Sequence, residues 1–309
     1  MKLKKLLYGA AHTFHSLFAA SPLLAKRYLY LWSTILRAVP DGKLKGLAVI
    51  TLRNINWNLS ELKPQTVSLG SNTNVRLTPH PGEFDFDTLF FRHLGYEMEV
   101  FKTLEDRATT YDVIIEIGAN VGVFTIYFSK MMEKYGSNHH IYAFEPSREA
   151  YFRLQQNLRA NSASNVQSFN CGVSAATEFA KFYEPEGHLT NGSLYADFAS
   201  IFSQNIKVND VLFISGDSLE QLLIGYRSIL IKIDVEGAEH LVLRSMKSLI
   251  LSKKPDIILE VLTIAEEDLN TLDFLLDAYD LFNIEVEGLV KKPKFTGERT
   301  RDYLLLPKQ

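Results

Sequence analysis

One cysteine, Cys171, stands in a chain of 309 residues. No internal disulfide can staple this fold, and a reducing cytoplasm suits the chain best. Internal repeats and low-complexity tracts are absent, which excludes solenoids and fibrous assemblies. An excess of one charge is also missing overall, since the formal net charge is −3. What is present is 46% hydrophobic and 22% charged residues, enough to bury one large core plus an appendage. The charge is unevenly placed. Residues 1–45 hold six Lys and two Arg against Asp41, a net +7 that leaves −10 for residues 46–309. An acidic main domain without a basic stripe excludes nucleic acid as a partner.

The first forty residues mix basic clusters with Leu, Phe, Tyr and Trp at helical spacing, predicting one or two amphipathic helices. The uncharged run from Leu6 to Ala25 is long enough to span a bilayer, but Gly9, His12, His15, Ser16, Ser21 and Pro22 suit it poorly to lipid. A signal peptide would fit the Lys-rich start and Ala19, Ala20 and Ser21, yet two histidines break its apolar centre. The favoured reading is a helical extension over 1–45 that packs on the main domain or makes peripheral contact with anionic lipid through residues 1–40.

Residues 46–109 suggest short strands, as in "TVSLG" and "NVRLTPHPG", before the helix "YEMEVFKTLED". From residue 110 onward a strand–helix rhythm sets in. "YDVIIEIG" reads as a strand followed by a helix closing at Gly136, and "HIYAFEP" as a strand followed by a helix capped by Ser147. "VQSFNCGVS", "LIKIDV" and "PDIILEV" are further strands. Helices over residues 237–254 and 267–279 precede "LFNIEVEGLV" and "RDYLLLPK", which read as a closing hairpin. Alternation of this kind predicts an α/β fold with a mostly parallel sheet and helices on both faces, its ligand site at the carboxyl ends of the strands. Residues 174–215 interrupt the rhythm with turn signals at Pro185, Gly187 and Asn191–Gly192, and read as an inserted hairpin or lid. Its aromatics Phe182, Tyr183, Tyr195 and Phe198 either stack on a sugar face or form the packed side of the hairpin.

Where the first of these strands becomes a helix, "EIGANVG" places Glu116, Gly118, Asn120 and Gly122. Gly and Asn tolerate positive φ, and a helix N-terminus offers free N–H groups, so a nucleotide-like ligand suits the loop. A dinucleotide fingerprint would need Gly at 120 and 123, where Asn120 and Val123 stand, and no triphosphate-binding G-x-x-x-x-G-K-[ST] loop exists. Glu116 favours a cationic ligand. Glu145 ends the next strand, where a carboxylate can accept hydrogen bonds from both ribose hydroxyls.

Together "IEIGANVGVFT", "AFEPS", "NCGVS" and "IKIDVEGAEHLVL" resemble the FkbM-type methyltransferases over roughly residues 95–307. The resemblance implies a class I methyltransferase, Rossmann-like fold with a seven-stranded sheet and S-adenosylmethionine as cofactor. It carries cofactor contacts onto Glu116, Gly118, Asn120, Gly122 and Glu145. Two departures are conservative: Glu116 stands where the family commonly has Asp, and "SLE" at 218–220 replaces "TLD".

The remaining carboxylates belong to acceptor chemistry. Methyl transfer is an in-line displacement, so positioning dominates, but a hydroxyl acceptor must still lose a proton to a nearby base. Asp234 is the expected base, Lys232 its partner on the same side of the strand, and Glu236 a further rim residue. Glu260 ends the neighbouring strand. With Asp234 it forms a pair of the kind that holds Mg²⁺ in some class I methyltransferases, although a metal-free base is the preferred reading. Glu239 reads as an N-terminal helix acid and His240 carries no assigned role. The expected activity is O-methylation of a hydroxyl on a sugar, polysaccharide or secondary metabolite. The competing readings are a nicotinamide-dependent oxidoreductase and a non-catalytic cofactor-binding module of a glycan-assembly complex.

Overall fold

The computed structural model describes residues 2–59, 62–105, 107, 110–134, 139–298 and 300–308, the side chains of residues 2–8 and 10 excepted. Gly136 lies outside these residues. Two compact units divide the chain, Met1–Tyr96 and Glu97–Gln309, so the break falls between residues 96 and 97 rather than at the expected 45 and 109.

The first unit holds helices α1 (Lys2–Ala19), α2 (Pro22–Ala38) and α3 (Lys43–Arg53), then a hairpin of β1 (Gln65–Leu69) and β2 (Thr73–Leu77). Pro22 opens α2 without loss, because the first N–H groups of a helix have no acceptor within it. Along α2 the buried residues are Ala25, Leu29, Ser33 and Leu36, a spacing of three or four that turns one face inward. That face shares a core with Leu52, Trp57, Phe86 and Phe90. Buried Ser33 donates to the Leu89 carbonyl at 2.5 Å, and His15 Nδ1 lies 2.7 Å from the Tyr28 hydroxyl. Among the described residues no helix is long and apolar enough to cross a membrane.

The second unit opens with α4 (Met98–Glu105), β3 (Val113–Ile117), α5 (Val123–Lys134), β4 (His140–Phe144), α6 (Arg148–Asn161) and β5 (Val166–Phe169). The insertion follows as β6 (Gly172–Ser174), β7 (Glu178–Pro185), α7 (Ala196–Phe202) and β8 (Ile206–Ser215). Next come β9 (Ile229–Ile233), α8 (Glu239–Ser245), α9 (Lys247–Lys253), β10 (Asp256–Glu260), α10 (Glu266–Leu269) and α11 (Asp273–Ala278). The chain closes with β11 (Tyr279–Glu285), β12 (Gly288–Lys292) and β13 (Asp302–Pro307).

The main sheet runs β12-β11-β13-β10-β9-β3-β4-β5. Neighbours from β10 to β5 are parallel and the last three strands antiparallel. Every residue of β3 and β9 is buried, the mark of a sheet covered on both faces. Ile115, Ile231 and Ile257 sit side by side across three strands and share one core with Val242, Met246 and Ile250, each such side chain stabilising the fold by roughly 1.5–3 kcal/mol on burial.

Three sequence expectations give way here. The sheet has eight strands among the described residues, not seven, because "LFNIEVEGLV" is itself a hairpin, β11 and β12, and β13 inserts between β11 and β10. "VQSFNCGVS" splits between two sheets: Asn170 turns its amide to the Glu145 and Pro146 carbonyls, at 2.9 and 3.2 Å, and β6 leaves to pair with β8. The two long helices each break where a polar side chain competes for the backbone. Ser245 donates to the Val242 carbonyl at 2.8 Å between α8 and α9, and Asn270 to the Glu266 carbonyl at 2.9 Å between α10 and α11. Residues 174–215 do form an antiparallel hairpin, β7 with β8, whose long connection carries α7.

Candidate active site

From β3 the chain moves one way, through β4 to β5, and then crosses back to β9 and β10 on the other side. The order therefore reverses between β3 and β9, and the loops leaving their carboxyl ends meet there. Asp234 donates its N–H to the Ile117 carbonyl at 3.0 Å. A Cβ on Gly118, whose φ is +87, would lie 1.8 Å from the Asp234 carbonyl oxygen, and one on Gly122, φ +86, would lie 2.4 Å from Leu154 Cδ1. These glycines are thus needed for protein packing, beyond any close approach to a ligand. Asn120 adopts φ +49 between them.

The loop is tied to Glu145. The Asn120 N–H donates to Glu145 Oε2 and the Ser147 N–H to Oε1, both at 2.7 Å. Burial pushes the Glu145 carboxyl up to about 8, against these two hydrogen bonds. Glu116 is buried beside Lys232, its neighbour across the sheet, and accepts from Thr125 Oγ1 at 2.5 Å. Burial raises it to about 7.

On the β9 side, Lys232 Nζ lies 2.9 Å from Asp234 Oδ2 and 4.4 Å from the centre of the Phe124 ring. Burial works against the ammonium, but Asp234, Glu97 and Glu116 outweigh it and hold Lys232 above its ordinary range. Asp234 is half-buried, and its desolvation opposes ionisation too, yet Lys232 and a hydrogen bond with Glu260 keep it below the usual carboxylate range. Its neighbours go the other way. Burial, then Asp234 and Glu239, lift Glu236 to about 9, and burial, then Asp234, Glu236 and Asp302, lift Glu260 to about 11. Around neutral pH one carboxylate is ionised beside two carboxylic acids. Such a cluster can accept a proton at Asp234 and donate hydrogen bonds from its neighbours.

Glu236 holds a left-handed φ of +54 on a residue that is not glycine, a conformation that persists only where the surroundings impose it. Ser193 of the insertion donates to the Glu236 carbonyl at 2.8 Å, and Glu239 Oε1 accepts from the N–H groups of Val235 and Gly237 at 3.2 and 3.0 Å.

Residues 116–282, more than half of the chain, match the Methyltransferase FkbM domain. The chain belongs to the FkbM methyltransferase family. It is an S-adenosylmethionine-dependent methyltransferase. Methyltransferase 1 of Beauveria bassiana (strain ARSEF 2860) is 28% identical over 214 residues, covering 63% of this chain and 80% of that protein. The hexuronic acid methyltransferase AglP of Haloferax volcanii is 28% identical over 161 residues, covering 52% of this chain and 61% of AglP, less than two thirds of its length. Among solved structures, the methyltransferase FkbM of Methylobacillus flagellatus KT overlaps 63% of this chain and 43% of its own, with 18% identity and a TM-score of 0.41.

The residues of this FkbM methyltransferase fit the cofactor. Asn120 Oδ1 is shielded from solvent and has no hydrogen-bond partner among the described residues, and each Glu145 oxygen takes one N–H while keeping a further lone pair. Both side chains lie where the loops after β3 and β4 are expected to hold a nucleoside. Glu116 accepts one hydrogen bond, from Thr125, and lies beside Lys232 inside the sheet. Phe182 and Phe198 are buried and belong to the packed side of the hairpin, whereas Tyr195 stands 3.7 Å from where a Cβ on Gly237 would be. Sequence reasoning missed Ser193, Glu184 and Asp302. Asp302 opens β13 directly opposite Glu260, and only the strand order, with β13 beside β10, brings it to the rim.

Proposed function

We propose that the enzyme methylates a hydroxyl group of a sugar-containing acceptor, with Asp234 taking the acceptor proton. The observation that carries this is the position and charge of Asp234, ionised against Lys232 at 2.9 Å and in backbone contact with the cofactor loop through the Ile117 carbonyl. S-adenosylmethionine, when bound, supplies a methyl group on a sulfonium, an electrophile. Asn120 and Glu145 hold the nucleoside side of it. A neutral hydroxyl that attacks this methyl becomes a strongly acidic protonated ether, so even a carboxylate of depressed pKa suffices to take the proton. Glu236 and Glu260, carrying protons, donate hydrogen bonds to the acceptor and fix its orientation. The sugar assignment is supported by the likeness to AglP, a hexuronic acid methyltransferase. The buried, unpaired Cys171 supports a cytoplasmic setting.

A second reading places a divalent cation such as Mg²⁺ where the two protons sit, since ligand atoms of Asp234, Glu236 and Glu260 lie within 4.8 Å of one another. It would hold and acidify two acceptor oxygens. The test is transfer of labelled methyl from S-adenosylmethionine to a panel of uronic acids, neutral sugars and small phenols, with chelator and with Mg²⁺. Labelling of a sugar hydroxyl that resists chelator supports the proton-bearing cluster. Loss restored by Mg²⁺ supports the metal, and labelling of phenols alone overturns the sugar assignment.

A further inference from the structure

Helices of a globular unit bury one apolar face and present a polar one. The three N-terminal helices do not. Opposite its buried stripe, α2 exposes Leu24 and Leu31, the latter 58% accessible, with exposed Arg27 between them at helical spacing. α1 exposes Phe14 and Leu17, at 54% and 71%, and α3 exposes Leu44 and Leu47, at 84% and 45%. These are outward faces, since the same helices contribute Ala19, Leu29 and Val49 to the core of the unit.

The charge on this surface is of one sign. Between residues 2 and 53 the only acid is Asp41, and it is paired with Lys45 at 2.8 Å. Arg27 and Lys43 are exposed beside the leucines. The rest of the chain carries the opposite sign, −10 over residues 46–309. Apolar side chains interleaved with cations and free of unpaired acids match an anionic lipid surface: leucine and phenylalanine enter the acyl boundary while Lys and Arg meet the headgroups.

We propose that helices α1–α3 form a docking surface for anionic bilayers, holding the enzyme peripherally on a membrane without spanning it. Lys and Arg near such a surface add an electrostatic attraction, and the leucines add burial that salt does not screen. Two independent contributions therefore make the binding, and each is separately removable.

The experiment is flotation of the full chain with phosphatidylcholine vesicles, with and without phosphatidylglycerol, at low and high salt. Two double variants accompany the wild type: Leu24→Gln with Leu31→Gln, and Arg27→Glu with Lys43→Glu. All four positions are solvent-facing or nearly so, and S-adenosylhomocysteine binding checks that each variant is folded. The wild type is expected to float with anionic vesicles and not with neutral ones, less so in high salt. Each double variant should lose about tenfold or more of that binding while its S-adenosylhomocysteine affinity is unchanged. Absence of flotation with anionic vesicles, flotation of both variants equal to that of the wild type, or leucine-dependent self-association by light scattering without vesicle binding would each overturn the proposal.

Discussion

Ser193 donates its hydroxyl to the main-chain carbonyl of Glu236 at 2.8 Å, joining the insertion to the acidic loop that follows β9. The same insertion reaches the cofactor side. Glu184 on β7 accepts from Ser147, and the Ser147 N–H donates to Glu145. One segment is therefore bonded to the loops after β4 and after β9. Replacing Ser193 by Ala leaves the Glu236 carbonyl without this donor and relaxes its left-handed backbone. Turnover of Ser193→Ala should fall about tenfold, equivalent to about 1.4 kcal/mol, with S-adenosylhomocysteine affinity unchanged by calorimetry. An equal loss in both would show that the contact only supports the fold.

Glu145→Ala removes the acceptor of two N–H groups at the cofactor loop. The loss of an acceptor shared by two N–H groups costs about 1.5–3 kcal/mol. S-adenosylhomocysteine should bind roughly 10–150-fold more weakly, and NADH should not bind either protein. Undiminished binding to the variant would move the nucleoside away from β4.

Gly118→Ala places a methyl group 1.8 Å from the Asp234 carbonyl oxygen at a φ of +87. Both the clash and the strain push the loops after β3 and β9 apart. The strain alone costs on the order of 1–3 kcal/mol, and a loss of 1 kcal/mol lowers the unfolding midpoint by about 2–4 °C in a domain of this size. A Gly95→Ala control, where a Cβ meets nothing within 4 Å, should melt close to the wild type.

Burial raises Glu116 to about 7, Glu239 to about 7 and Glu145 to about 8 from an ordinary 4.5. A carboxyl whose folded pKa is the higher one binds more protons when folded, so stability is greatest below 4.5 for these groups and falls as pH rises through 7 and 8. Without ligand, the midpoint should decline between about pH 5 and 8, on the scale of several degrees. Differential scanning calorimetry across that window measures it, and Glu145→Gln should flatten the slope. A midpoint that rises over the same interval would contradict the burial of these carboxylates.

The parts of this enzyme that were legible in its sequence are those where one residue type answers one local demand. The β-branched run "VIIEI" became a fully buried strand, and the Gly–Asn–Gly pattern of 118, 120 and 122 took positive φ at all three positions. Ser147 capped α6, accepting from the Ala150 N–H at 3.2 Å. The approach of Asp234 to Lys232 followed from the period of a strand. What could not be read depends on partners distant in sequence. Nothing local to Ser193 points 43 residues ahead to Glu236, and nothing in "RDYLLLPK" says that β13 will slip between β10 and β11 and bring Asp302 to the site. Helix breaks at Ser245 and Asn270 were hidden because those residues are tolerated within helices and act through side-chain bonds that only the fold supplies.

The central claim is that Asp234 serves the acceptor and Glu145 the cofactor. Methyl transfer from labelled S-adenosylmethionine, measured beside calorimetric S-adenosylhomocysteine binding for the wild type and Asp234→Asn, tests it most directly. The variant should bind S-adenosylhomocysteine as the wild type does, within about twofold, and lose roughly 10²–10⁴-fold in turnover. An Asp234→Asn enzyme that turns over at the wild-type rate would contradict the account.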